Sequence, residues 1–294
     1  MLGIPVPTIR SWERRYGFPA PPRTDGHHRR YTQEEIDQLR GLLEEITRGY
    51  PAGEAVDLIR DRMSGLEPVK ERYIEPFIAA ARNLDPVELR RVLDDAEEAL
   101  GIEPALHLVA LPAMREVGRR WRVGSCDIGS EHFATSMLRQ WFARLGGETP
   151  AVSRGVIVLA CGPGETHTLG LEAFAVILTR DGWDCRMLGA DTPADALVLA
   201  VRAARADAVV VSSHRRVNRR AAVDAIRAAD MVPGVAVFYA GDAFTTAPLR
   251  KGVPGTYLGA DMTVAAAAVG AALSGRTPRR RTPARDARPV LTGR

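Results

Sequence analysis

The chain has 294 residues, enough for two or three domains that each bury their own core. Apolar residues make up 46% and charged residues 26%, as in ordinary globular proteins. No apolar run reaches the ~18 residues that span a bilayer, and the N-terminus has no signal-peptide core, which excludes a membrane protein. The three widely spaced cysteines argue against a disulfide framework, so we expect a cytoplasmic protein.

The net charge of +4 is unevenly distributed along the chain. Residues 1–32 carry +4 and residues 276–294 carry +6, which leaves −6 for the middle. Basic ends on an acidic body indicate that the ends contact a polyanion.

The first predicted domain covers residues 1–66. A short helix, Pro5 to Tyr16, precedes a Pro/Gly-rich stretch that suits a hairpin. A capping box at Thr32 and Glu35 predicts a helix to about residue 48, and a shorter helix follows over 53–63.

Basic and polar side chains on this first helix and hairpin are candidate DNA contacts, since such a helix can enter a major groove. A solvated charged surface is the alternative, but the order of helix, basic hairpin and capped helix favours DNA binding. The candidates are Thr8, Arg10, Arg14, Arg15, Tyr16, Arg23, His28, Arg29 and Arg30.

The stretch LGIPVPTIRSWERRYGFPAPPRTDGHHRRYT resembles the winged helix-turn-helix of MerR-type transcription regulators. The resemblance implies a double-stranded DNA operator as a partner. It also implies a first helix before Leu2. We expect the true start codon to lie further upstream, and a DNA-binding domain impaired by the loss of that helix is the alternative.

Residues 70–148 show apolar residues at helical spacing in four runs, which predicts an antiparallel four-helix bundle. Trp121 is followed ten residues later by Glu131 and His132. Each has a structural alternative: a core aromatic residue, a helix cap and a hydrogen-bonded core histidine, respectively. We expect Trp141, by contrast, to be a core residue.

Residues 154–274 alternate apolar strands with helices, which predicts a doubly wound parallel sheet, a Rossmann-like and flavodoxin-like α/β fold. Its first strand-to-helix turn contains Glu165, His167 and Gly170, where such sheets bind ligands. His167 is a candidate metal ligand, and Glu165 a candidate partner of its second ring nitrogen. The basic tail, residues 275–294, is predicted to be disordered.

The sequence GETHTLG resembles the Asp-x-His-x-x-Gly signature of cobalamin-binding domains, with Glu165 in place of Asp. In that family the histidine is the lower cobalt ligand, and small residues, here Ser212 and Gly241, leave room for the cofactor's tail. The resemblance is partial, because His214 and Ala240 depart from the usual residues.

The Trp-Glu-His spacing resembles CarH/LitR-type cobalamin-dependent photoreceptor regulators of the MerR family, over about residues 2–273. The resemblance implies a homotetramer that holds adenosylcobalamin and represses transcription in the dark. Trp121 and Glu131 would bracket the adenosyl group, and His132 would become the upper cobalt ligand after photolysis. Methylcobalamin or hydroxocobalamin are alternative cofactors.

Two other functions remain to be weighed against this repressor. A cobalamin methyl-carrier enzyme is disfavoured, because no ~250-residue barrel remains in the chain, and we predict a non-enzyme. A MerR-type regulator with a degenerate sensor, responding to another ligand or a protein partner, is the stronger alternative. The residues at 214 and 240 favour that alternative.

Overall fold

The computed structural model describes residues 3–19, 31–63, 67–147, 152–275 and 279–280. It divides into two compact units. The first unit takes residues 1–93 and 108–133, and the second takes residues 94–107 and 134–294. Within the described residues, no helix is both long enough and apolar enough to cross a membrane.

The first unit begins with three helices around a small apolar core. They are α1 (Val6–Tyr16), α2 (Gln33–Thr47) and α3 (Ala52–Met63). The predicted capping box is confirmed, because Thr32 accepts a hydrogen bond from the amide of Glu35 and donates its own amide to the Glu35 carboxylate. Trp12 is buried, and it packs with apolar residues of α2 and α3. The predicted hairpin, residues 20–30, lies outside the described residues.

The next helices follow the four runs predicted for the bundle. They are α4 (Glu67–Val69), a π-helical turn (Lys70–Ile74), α5 (Glu75–Arg82), α6 (Pro86–Leu100), α7 (Ile102–Pro104), a second π-helical turn (Ala105–Ala110), α8 (Leu111–Arg122) and α9 (Ile128–Gly146).

Both π-helical turns come just before a proline, Pro76 or Pro112. Proline has no amide hydrogen, and its ring clashes with the carbonyl four residues earlier, here that of Arg72 or Leu108. Each of those carbonyls lies within a π turn, where the wider backbone relieves the clash. The apolar periodicity predicts the helices but does not predict these turns.

The second unit contains a five-stranded parallel sheet with the order β3-β2-β4-β5-β6. This order confirms the predicted doubly wound, flavodoxin-like sheet. The strands of this unit are β1 (Val152–Ser153), β2 (Val156–Cys161), β3 (Asp184–Gly189), β4 (Ala208–Ser212), β5 (Ala236–Ala240), β6 (Thr256–Tyr257) and β7 (Arg279–Arg280).

Helices cover the sheet, and they are α10 (Leu169–Arg180), α11 (Ala194–Ala203), α12 (Arg219–Asp230), α13 (Ala247–Arg250) and α14 (Met262–Ala272). Alternate residues of the central strands, such as Val209 and Val211 of β4, pack against α11 and α12. Because side chains alternate, Ser212 lies on the opposite face from Val211. The loops after β2, β4 and β5 begin at the carboxyl edge of the sheet, where ligands of such folds bind.

The start of the basic tail differs from the prediction of complete disorder. Arg279 and Arg280 form β7, which pairs antiparallel with Val152 and Ser153 of β1. The prediction is wrong for these two residues, because backbone hydrogen bonds to an edge need no apolar side chains. Residues 281–294 lie outside the described part of the chain.

Candidate functional site

The loop between β2 and α10 holds His167 through the carboxylate of Glu165. Glu165 Oε1 accepts hydrogen bonds from the His167 amide at 3.0 Å and from His167 Nδ1 at 2.5 Å. The Glu165 side chain is fully buried, whereas 63% of the His167 side chain is exposed. Since an ionised carboxylate only accepts, Nδ1 carries the proton and Nε2 keeps its lone pair for a metal ion.

The second oxygen of Glu165 fixes the loop that follows β4. Oε2 accepts hydrogen bonds from the amides of His214 at 2.6 Å and Arg215 at 2.9 Å. Burial alone would raise the pKa of Glu165, but hydrogen bonds from Arg215, His167 and His214 lower that pKa to about 2. A carboxylate that is ionised at neutral pH therefore joins the two loops. The two amide donors have no signature in the sequence, so sequence reasoning missed them.

Small residues lie around this loop. A Cβ added at Gly170 would meet no atom within 4 Å. At Gly241, with φ of 104°, an added Cβ would lie 2.2 Å from the carbonyl oxygen of Ser213, so only glycine fits there. Ser212 is buried, and its hydroxyl lies 3.3 Å from the sulfur of Cys161. These predicted residues thus surround the same edge of the sheet as His167.

His214 lies beside His167, with ring centroids 6.2 Å apart. Its Nδ1 is 3.1 Å from a carboxylate oxygen of Asp242, in the turn after β5. In the sequence, His214 stands out only as a departure from the cobalamin-binding signature. The structure gives it a place at the carboxyl edge and a carboxylate partner, Asp242, which sequence reasoning did not identify.

Trp121, Glu131 and His132 all belong to the first unit, near the corner between α8 and α9. Trp121 lies in the last turn of α8 with 47% of its surface exposed. Glu131 lies in the first turn of α9 and His132 directly follows it, with His132 Nε2 3.7 Å from Glu131 Oε2. The His132 side chain is 73% exposed, so it is not a core histidine.

Two residues near this motif, Asp127 and Trp141, have structural roles. Asp127 caps α9, because its carboxylate accepts hydrogen bonds from the amide and the hydroxyl of Ser130. The capping role considered for Glu131 is therefore filled by Asp127. Trp141 is buried, which confirms that it is a core residue.

These residues fit a corrinoid cofactor. His167 offers a single imidazole nitrogen on an exposed ring, which suits a cobalt ion whose equatorial ligands come from a macrocycle. The buried Glu165 orients that ring before any metal binds. The open space at Gly170 lets a bulky ligand approach the loop.

The predicted DNA contacts on α1 form an exposed basic surface. Arg10, Arg14 and Arg15 are exposed, and Thr8 is half-buried. Tyr16 is half-buried and contacts α3, because a Cβ at Gly53 would lie 3.1 Å from its ring, so Tyr16 helps to fix α1 as well.

The other predicted contacts belong to the hairpin. Arg23, His28, Arg29 and Arg30 lie outside the described residues. The chain that follows is fixed to α1, since the hydroxyl of Tyr31 donates a hydrogen bond to Glu13 at 2.8 Å. Tyr31 is therefore fixed to α1.

Comparisons with known proteins cover all three segments. Family models match residues 1–61 as a MerR helix-turn-helix regulatory protein, and residues 73–145 and 155–268 as B12-binding domains. Among solved structures, the monomethylamine corrinoid protein of Methanosarcina barkeri has a TM-score of 0.52 at 13% identity. It covers 69% of this chain and 99% of its own, which supports the fold alone.

Two curated relatives from Myxococcus xanthus extend across most of the chain. The transcriptional repressor CarA is 37% identical over 215 residues, 72% of this chain and 73% of its own. The transcriptional repressor CarH is 33% identical over 226 residues, 72% of this chain and 76% of its own. The chain is therefore a regulator rather than an enzyme, and it belongs to the CarA/CarH family of MerR-type transcriptional repressors with B12-binding domains.

Proposed function

We propose that this repressor binds DNA as an adenosylcobalamin-loaded homo-oligomer, a tetramer, in the dark and releases it in the light. The contact between Glu165 and His167 is the observation that carries the cofactor assignment. Adenosylcobalamin would supply a cobalt–carbon bond that light cleaves. We also propose that the protein works in the cytoplasm.

His167 is the proposed lower ligand, through Nε2. The buried charge of Glu165 strengthens the imidazole as a donor and fixes its orientation. Ser212, Gly170 and Gly241 are the proposed neighbours of the cofactor. Gly170 leaves open space beside the loop, while Gly241 lets two backbone segments approach closely at the same edge of the sheet.

Trp121 and Glu131 are the proposed contacts of the adenosyl group. An exposed indole is unusual for a tryptophan, and stacking against a purine would bury its apolar surface. His132 has a largely exposed ring at the free end of α9. It is therefore available to ligate the upper face once the adenosyl group has left.

Repression would depend on several copies of the α1 surface acting together. One short helix with an exposed triplet of arginines binds an operator weakly, whereas linked modules gain ~10²–10⁴-fold in affinity. Dissociation of the oligomer after illumination would therefore release the DNA. The ligand biases a two-state equilibrium by its different affinities for the two states.

The test is to purify the full chain with adenosylcobalamin in the dark and record ultraviolet–visible spectra before and after green light. We expect a coloured protein whose spectrum changes irreversibly, together with a dark gel shift of operator DNA that light abolishes. A colourless product, or a dark complex with DNA that light leaves unchanged, would contradict the proposal. Parallel loading with methylcobalamin and hydroxocobalamin identifies which form supports DNA binding.

The DNA surface has its own test in the salt dependence of binding. Each phosphate contact contributes about −0.9 to the slope of log affinity against log salt concentration. Arg14→Ala should reduce the magnitude of the slope by about that amount. Arg90→Ala is the matched control, because Arg90 is an exposed arginine on α6. Equal slopes for both variants would show that Arg14 of α1 does not contact the DNA.

A sensor that responds to another ligand is the second candidate. The observation in its favour is the pair formed by His214 and Asp242 beside His167, where the cobalamin signature carries an apolar residue or a threonine at position 214. In that case the dark-purified protein would bind DNA without cobalamin. The gel shift of the cofactor-free protein therefore separates the two candidates.

A further inference from the structure

A polar network ties the loop that carries His167 to helix α9. Arg139 donates a hydrogen bond from its terminal nitrogen to the hydroxyl of Thr168 at 3.0 Å. Its Nε lies 3.2 Å and 3.3 Å from the two carboxylate oxygens of Glu172. The Thr168 hydroxyl in turn donates to Glu172 at 2.5 Å. All three side chains belong to the second unit.

Thr168 is the residue directly after His167, and it is buried. His167 is therefore held on both sides: Glu165 binds its ring and amide, and Thr168 binds α9 through Arg139. A shift of the loop when Nε2 takes up a metal ion must either move Arg139 or break its hydrogen bond.

Arg139 and His132 lie on the same helix, seven residues apart. Seven residues turn an α-helix by about 700° and advance it by about 10 Å, so both residues project from the same side of α9. Both side chains are more than half exposed, at 53% for Arg139 and 73% for His132. One side of α9 thus carries the proposed upper ligand and a contact to the loop of the proposed lower ligand.

We propose that Arg139 is a positioning residue that couples the lower-ligand loop to α9 and thereby sets where His132 stands. The inference rests on the proposed cobalamin function and adds a regulatory connection to it. Through Thr168 and Glu172, occupancy of His167 holds α9 in one position. Without Arg139, the loop still binds the cofactor through His167, but α9 no longer follows it.

Arg144 provides a matched control on the same helix. It is 50% exposed and binds two carboxylates, those of Asp94 at 2.7 Å and Glu97 at 2.6 Å. Those partners belong to helix α6, not to the loop of His167. Arg139→Gln and Arg144→Gln therefore each remove one positive charge from α9, with one ion pair lost in the first and two in the second. Only the first breaks the connection to the cofactor loop.

The experiment measures hydrogen–deuterium exchange of the full chain with and without hydroxocobalamin. In the wild-type protein and in Arg144→Gln, we expect cofactor to slow exchange both at 165–170 and in the first two turns of α9. In Arg139→Gln, exchange at 165–170 should still slow, while α9 should stay within about twofold of its cofactor-free rate. Retention of hydroxocobalamin should fall by about two- to fivefold, as for loss of an exposed ion pair.

A second measurement follows the ligand of the upper face. The spectrum of the hydroxocobalamin-loaded wild type should report histidine coordination, and Arg139→Gln should show less of it than Arg144→Gln. Arg139→Lys keeps the charge and should recover part of the histidine coordination. Thr168→Val should reproduce the Arg139→Gln effect, because both changes remove the hydrogen bond between Arg139 and Thr168. The double variant should therefore add little to either single effect.

The outcomes separate this inference from the proposed function. If the wild type binds hydroxocobalamin and Arg139→Gln behaves like Arg144→Gln in both measurements, the coupling by Arg139 is wrong and the cofactor assignment stands. If the wild type binds neither hydroxocobalamin nor adenosylcobalamin, both are overturned.

Discussion

The two candidate ligand regions differ in how firmly the chain holds them. In the loop after β2, His167 is bonded through its ring and its amide to a fully buried carboxylate. At the corner of α8 and α9, the His132 side chain is 73% exposed, and its Nε2 lies 3.7 Å from Oε2 of Glu131, which is a long contact. A preorganised ligand suits permanent binding, whereas a loosely held one suits a residue that ligates only in one state of a switch.

The largest expected effect comes from removing the fixed ligand. His167→Ala should lower dark retention of adenosylcobalamin by at least about 100-fold, because loss of a ligand exceeds the 10–100-fold cost of losing a ligand's hydrogen-bond partner. The check is equilibrium dialysis of the purified chain in the dark. His107→Ala is the control: His107 bonds the carbonyl of Glu103 and should keep its cofactor. Equal retention by both variants would mean that His167 is not the lower ligand.

The next largest effect tests whether Glu165 is what holds His167 in place. Glu165→Gln keeps the shape of the side chain but removes the charge that orients His167, so dark affinity should fall by about 10–100-fold. The exposed Glu98 on α6 offers the control variant Glu98→Gln, which should leave affinity unchanged. A Glu165→Gln protein that binds as well as the control would make the carboxylate a structural feature only.

The same carboxylate predicts a pH dependence of stability. The pKa of Glu165 is lowered from 4.5 to about 2, so the ionised form is favoured in the folded state. The stability that ionised Glu165 gives to the folded state is complete above about pH 4.5 and is lost as the pH falls towards 2. Denaturant unfolding between pH 5 and pH 2.5 should show a shallower loss of stability for Glu165→Gln than for the wild type. Parallel curves for the two proteins would contradict the assignment.

The sequence predicts most of this framework, since the apolar strands, the helical runs and the capping box of Thr32 all follow local rules. His167 and Glu165 could be identified because their motif is contiguous. Contacts between distant residues could not be predicted in the same way. The bond of Arg139 to Thr168 spans 29 residues, and the donors to the second oxygen of Glu165 are backbone amides.

The loosely held region should respond to illumination rather than to dark binding. His132→Ala should leave dark cofactor binding largely intact and weaken the adduct formed after light, because only the illuminated state uses that ligand. The measurement is the cobalamin released on gel filtration before and after green light. Equal losses in both states would show that His132 and His167 play the same role, and the difference between the two regions would disappear.

The smallest expected effect concerns the helix end that carries His132. Asp127→Ala removes the cap of α9 and should therefore destabilise that end of the helix. Hydrogen–deuterium exchange should therefore rise in residues 128–133 and stay constant in residues 164–168, where Glu165 supplies the constraint. A greater yield of histidine adduct after light would indicate that α9 must loosen before His132 can ligate. A lower yield would indicate instead that the cap keeps His132 in its ligating position. The sign of the change in adduct yield therefore tells whether the capped end of α9 hinders or favours ligation by His132.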